Sequence, residues 1–173
     1  MQQEHGNRFL EAISFARMAI RDPELNAFYA KKAEKKDGLG AWHMAIRDYM
    51  NPPRIYWASF INFKGKRNDE IIVDAYDLFR VEEVAVSFML PDGCPAGELQ
   101  VEHEEWTDWK FRLVSDITCT PGMTVTIRAT DLPGNSVTEI LTWPFDTRER
   151  IEFMPVEGLL SKGKRKKSQL RLK

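Results

Sequence analysis

The chain has 173 residues, of which 43% are hydrophobic, 29% charged and 11% aromatic, enough to bury a core and too apolar for wholesale disorder. No apolar run approaches the roughly 18 residues needed to span a bilayer, and the polar stretch Met1–Arg8 lacks the apolar region of a secretory signal, so a cytoplasmic protein is expected. The formal net charge of −1 conceals an uneven distribution: residues 1–54 balance to +2, residues 55–161 to −10 and residues 162–173 to +7.

Residues 1–52 read as a helical segment of about three short helices. Phe9, Ile13, Ala16 and Ile20 recur at helical spacing. Asp22-Pro23-Glu24 then ends one helix and opens another, because aspartate caps an N-terminus, proline suits the first turn and glutamate complements the dipole. Leu25, Phe28, Tyr29 and Ala33 form the second stripe, followed by Lys31, Lys32, Lys35 and Lys36 near the C-terminal end. After Asp37-Gly38, a third helix over about Leu39–Met50 aligns Trp42, Ala45, Ile46 and Tyr49, and Asn51-Pro52-Pro53 stops it. His43 and Asp48, five positions apart, do not share a helical face as metal ligands would. Three such helices are too small for a large core of their own, and their stripes are expected to pack on each other, on the following domain or on a neighbouring subunit.

From Ile55 the apolar period changes to two. Ile71/Val73/Ala75, Val84/Val86/Phe88/Leu90, Trp109/Phe111/Leu113, Val125/Ile127/Ala129 and Val137/Glu139/Leu141/Trp143/Phe145 each line one strand face. Turn signals at Lys64-Gly65-Lys66, Pro91-Asp92-Gly93, Pro121-Gly122 and Leu132-Pro133-Gly134-Asn135 separate them. With Ile55–Phe63 and a weaker strand near Glu98–Glu102, this predicts about seven strands over residues 53–147 and a mainly β fold, an antiparallel sandwich behind an α-helical segment. Residues 148–161 read as a C-terminal extension, and 162–173 as a flexible basic tail.

The runs Glu70–Asp77 (EIIVDAYD), Val81–Val86 (VEEVAV) and Pro91-Asp92-Gly93 resemble the second and third strands of bacterial immunoglobulin-like modules. Ile127–Asn135 (IRATDLPGN) resembles their penultimate strand and its turn. The resemblance implies a seven-stranded immunoglobulin-like or fibronectin-III-like sandwich. The chain as a whole, with its preamble from Asp22 to Pro52, is also similar to uncharacterised bacterial proteins that join short helices to one such sandwich, and no activity follows from that likeness.

Chemistry-bearing motifs are sparse. The glycines form no phosphate loop, dinucleotide fingerprint or nucleophile elbow, and no HExxH is present. His5, His43 and His103 fall in three separate segments. Glu102-His103-Glu104-Glu105-Trp106 places carboxylates around a histidine, a pattern that reads first as a solvated acidic edge. Asp74, Asp77, Asp92 and Asp131 with Asn135 are expected to bond their own turn backbone. The alternative is a calcium site drawing on Asp77, Asp131 and Asn135, since calcium takes six to eight hard oxygens and Asp131 and Asn135 flank a turn that can approach Asp77. Cys94 and Cys119 are too few for a disulfide framework and too far apart for a CxxC motif. No catalytic residue and no cofactor are expected.

The partner is therefore expected to be another protein or a second copy of the chain, with Trp42, Tyr49, Tyr56, Trp57, Trp106 and Trp109 as candidate anchors. The leading expectation is a non-enzymatic interaction or structural module docking through its helices and sheet edges. Two alternatives stand beside it. One is nucleic-acid binding through Lys162, Lys164, Arg165, Lys166, Lys167, Arg171 and Lys173 of the tail. The other is a carbohydrate-binding or hydrolytic groove combining acids with tryptophan.

Overall fold

The computed structural model describes residues 2–34, 38–102 and 108–153. Three helices open it, α1 (Gln2–Ala19), α2 (Pro23–Ala33) and α3 (Ala41–Tyr49). Asp22 caps α2 as its sequence suggests: Oδ1 accepts from the backbone N–H groups of Glu24 (2.9 Å) and Leu25 (3.0 Å), two donors that otherwise lack a partner at a helix start.

The helices bury Ala16, Ala19, Tyr29, Ala33, Met44 and Ala45 against one another and against Phe79, which comes from the sandwich. The inward face of α1 differs from the predicted stripe. Ala12, Ala16 and Ala19 point inward, whereas Phe9 and Ile20 remain 48% and 38% exposed. Short alanines let α1 approach α3 closely, so the bulkier residues of the stripe are turned aside. On α3 the buried positions are Met44, Ala45 and Asp48, with Trp42, Ile46 and Tyr49 half-buried at the margins. The helical face therefore includes a carboxylate. No helix among the described residues is long and apolar enough to cross a membrane.

The remainder is mainly β, in two antiparallel sheets. One has the order β5 (Leu99–Glu102), β6 (Trp109–Leu113), β2 (Glu70–Tyr76), β1 (Arg54–Ser59), β9 (Arg150–Glu152). The other has the order β4 (Pro95–Ala96), β3 (Val81–Met89), β7 (Thr124–Asp131), β8 (Ser136–Thr142). The described residues thus hold nine strands where about seven were predicted. The two shortest, β4 and β9, are two and three residues long and leave no room for an alternating pattern. β9 also carries the sheet past residue 147, where the sandwich was expected to end.

Alternation places Ile71 and Val73, Val84 and Phe88, Phe111 and Leu113, and Val125, Ile127 and Ala129 in one core between the sheets. Phe60 and Phe63, expected in the first strand, lie beyond its end and are still buried, ring to ring at 5.9 Å. Gly65 is held by its surroundings: at φ +75° an added Cβ would stand 2.5 Å from the Ile117 carbonyl oxygen, so only glycine fits this turn.

Candidate functional site

Two turns at one end of the sandwich are brought together by strand register, Val81 of β3 pairing with Asp131 of β7. Asp77 opens the turn from β2 to β3, and its Oδ1 accepts from the N–H groups of Phe79 (2.7 Å) and Arg80 (3.0 Å). Asp131 ends β7. Its Oδ1 accepts from the Asn135 N–H (2.6 Å) and its Oδ2 from Asn135 Nδ2 (2.8 Å), across a turn in which Gly134 adopts φ +91°. The helical segment closes over this end. The Tyr29 and Phe79 rings meet edge to face at 5.9 Å, Lys32 Nζ donates to the Phe79 carbonyl at 3.3 Å, and Asn135 Nδ2 donates to the Tyr49 carbonyl at 3.1 Å.

This closure delivers a third carboxylate. Asp48 of α3 is fully buried, Asp77 is 8% exposed and Asp131 2%, and one oxygen from each lies within 4.8 Å of those of the other two. The Tyr29 hydroxyl donates to Asp48 Oδ2 at 2.6 Å. The other oxygen of Asp48, Oδ1, and Oδ2 of Asp77 are buried without a hydrogen-bond partner. Among the described residues no ion pair includes any of the three acids. The basic groups nearest this end are engaged elsewhere: Arg80 pairs with Glu82 at 2.6 Å, and Lys32 and Arg80 both lie over the Phe28 ring.

Burial pushes the Asp48 carboxyl up to about 7, against the opposing effect of the Tyr29 hydroxyl and with the neighbouring charges of Asp77 and Asp131 adding to the rise. Asp77 and Asp131 are raised as well, again chiefly by burial, while the donors of their own turns pull them back. Each folded pKa lies above its unfolded value, so the folded chain holds protons that the unfolded chain has released. That contribution is complete below the ordinary aspartate range near 4 and is lost as pH rises through about 7. Urea titrations in chelator are expected to give a lower midpoint at pH 8 than at pH 5, and a midpoint unchanged or higher at pH 8 would contradict this account.

Of the residues singled out in the sequence, Asp77, Asp131 and Asn135 come together, and the turn bonding expected of them occurs as well, using one oxygen of Asp77 and leaving the other orphaned. The sequence weighs Asp48 only as a partner of His43 and sets it aside, and Tyr29 only as part of an apolar stripe; neither is expected in this cluster. The available signal was a carboxylate on the same face as Met44 and Ala45 of a short amphipathic helix. Asp92 is bound to the Cys94 N–H at 2.9 Å, outside the cluster, and Asp74 stands within β2, paired with Trp57, and not in a turn as expected.

The proposed anchors divide. Tyr56 and Trp109 are buried, at 8% and 9% exposure, Trp109 in the core between the sheets and Tyr56 outside that core with its ring stacked on Tyr76 at 5.9 Å, and neither is available to a partner. Trp42, Tyr49 and Trp57 are half-buried; the Tyr49 hydroxyl donates to Glu11 at 3.2 Å and the Arg150 guanidinium covers Trp57 at 5.3 Å. Trp106, the segment His103–Trp106 and the tail candidates Lys162, Lys164, Arg165, Lys166, Lys167, Arg171 and Lys173 lie outside the described residues. Glu102 pairs with Arg112 at 2.9 Å. His43 Nδ1 accepts from the Gly40 N–H at 3.3 Å, and Cys94 and Cys119 are free thiols.

No family model matches the chain, and no curated protein matches it. Among solved structures, extracellular cadherin domains 1–4 of protocadherin gamma B7 are similar to 53% of this chain at 24% identity with a TM-score of 0.31. The chain covers 24% of that structure's length. At this score the likeness carries no inference about activity or partners, and the two-sheet assignment rests on the strand pairing itself.

Proposed function

We propose that the chain is a non-enzymatic protein-interaction module whose contact face is the outer side of α1 and whose partner is a second copy of itself. The observation that carries this reading is the strip left on α1 when its alanines turn inward. Phe9, Leu10 and Ile20 are 48%, 62% and 38% exposed, with Ile13 half-buried between them. At 3.6 residues per turn these four fall within about 100° of one another, beside the buried alanine face; Ile20 directly follows α1, and exposed Arg17 lies on the same side between Ile13 and Ile20, where its aliphatic stem can cover the strip. The strip is self-complementary, since antiparallel pairing of two copies about the strip's own midpoint, between Ser14 and Phe15, sets Phe9 of one against Ile20 of the other, the isologous contact of a two-fold dimer. The polar groups that the fold buries serve to join the helices to the sandwich.

Light scattering on size-exclusion fractions tests the reading. A dimer is expected for the full chain over a wide concentration range, converting to monomer in the double variant Leu10→Glu/Ile20→Glu while helical circular dichroism is retained. A monomer at every concentration overturns it.

A second surface has an observation of its own. β8 is a seven-residue edge strand whose outward residues Thr138, Ile140 and Thr142 are exposed, Ile140 at 63%. A dimer that survives the α1 changes but dissociates on Ile140→Lys would move the contact to this edge.

A further inference from the structure

We propose that Asp48, Asp77 and Asp131 form a binding site for one calcium ion, which ties the helical segment to the end of the sandwich. The inference is independent of the docking surface on α1. Three acids close together are not in themselves a site, and the second observation is the pair of orphaned oxygens. Asp48, fully buried, presents Oδ1 without a donor, and Asp77, more than nine-tenths buried, presents Oδ2 without one. Tyr29 acts on the opposite oxygen of Asp48, Oδ2, and the Phe79 and Arg80 amides on that of Asp77, Oδ1, while the Asp48 and Asp77 side chains come within hydrogen-bonding reach of each other, a contact that only a shared proton or a cation can make favourable. The cluster is thus oriented by its surroundings and left unsatisfied at its centre.

A buried carboxylate oxygen without a partner is costly. A proton shared between Asp48 and Asp77 would satisfy that pair but leave the charge of Asp131 uncompensated, whereas a divalent cation meets all three at once. The donor set is wholly oxygen, which disfavours zinc and soft metals. One oxygen from each acid lies within 4.8 Å of the other two, a span that one calcium ion with ligands at about 2.3–2.6 Å can bridge. Calcium also accepts an irregular donor set drawn from three separate elements, whereas magnesium demands near-octahedral geometry. Asn135 turns its amide nitrogen toward Asp131 and the Tyr49 carbonyl, so it orients the Asp131 carboxylate and leaves water to complete the coordination. Because the three acids come from α3, the β2–β3 turn and the end of β7, an ion at their centre bonds both parts of the molecule.

Equilibrium dialysis of the full chain with radioactive calcium at neutral pH is the direct test, with thermal unfolding beside it. One calcium per chain is expected to be retained at or below about 1 mM, the weak end of protein calcium sites. The melting temperature is expected to rise by roughly 5–10 °C when calcium stands about a hundredfold above its dissociation constant. Asp77→Asn and Asp131→Asn should each weaken binding by about tenfold or more, and Asp92→Asn should leave it unchanged. The proposal is overturned by no retained calcium at that concentration, or by binding that both cluster variants leave intact. An equal rise with magnesium overturns the choice of ion. Failure to bind calcium together with an unfolding midpoint that depends on pH identically with and without the ion assigns the cluster to a shared proton and likewise overturns the proposal.

Discussion

Tyr29→Ala is expected to release the three helices from the end of the sandwich while the two sheets stay folded. Tyr29 is fully buried, its ring meeting Phe15, Phe28 and Phe79 at centroid distances of 6.3, 5.2 and 5.9 Å, and its hydroxyl holds Asp48 at 2.6 Å. Truncating a buried aromatic costs about 3–5 kcal/mol, and orphaning Asp48 Oδ2 adds roughly 1–3 kcal/mol. The buried residues that the helices themselves supply to this core are alanines, Met44 and this one tyrosine, which joins Phe79 of the sandwich to half-buried Phe15 and Phe28. Hydrogen exchange read by mass spectrometry should show protection lost over α1–α3 and retained over β2, β3, β6 and β7. Uniform loss across the chain would mean that the two parts unfold as one unit. Tyr29→Phe keeps the ring contacts and removes only the hydroxyl, so it should cost about 1–3 kcal/mol and leave the helices protected.

Phe111→Ala is expected to act the other way and destabilise everything. Phe111 is 1% exposed in β6, with Ile71 of β2 opposite on one side and Val101 of β5 on the other, and it faces the core between the sheets. The cavity should cost about 3–5 kcal/mol, a large share of the 5–15 kcal/mol that holds an ordinary domain together. Because the helices rest on turns that the sheets hold in place, the urea midpoint should fall by the same amount whether the helices or the sheets are followed. A helical transition left at its original midpoint would show that the helices do not depend on the sandwich.

These contrasts show what was legible in the sequence. The strands were, because a period of two survives wherever one face is buried, as in β7, whose Val125, Ile127 and Ala129 point inward in turn. The three helices were legible from their stop signals. The rotation of α1 was not: a stripe counts Phe9 and Ile20 as core because they are large, whereas close packing of α1 on α3 selects Ala12, Ala16 and Ala19 because they are small. The candidate site was half visible. Asp77, Asp131 and Asn135 stand in turns, where oxygen ligands are ordinarily sought. Asp48 stands in a helix and acquires its meaning only when α3 lands on those turns, which no local pattern encodes.

Phe79 belongs to the β2–β3 turn by sequence and to the helical core by packing. The helices therefore lack a wall of their own interior until the sheets have positioned that turn, and the Asn135–Tyr49 bond spans 86 residues of chain. Contacts this distant carry a large loop-closure cost and form late unless something has already brought their ends together. The expected order of assembly is thus the reverse of the order of synthesis, the helices consolidating last on a sandwich whose strands follow them along the chain. Isolated helices of 18, 11 and 9 residues are marginal in water, so until β7 and its turn are complete the N-terminal third has no stable structure to adopt.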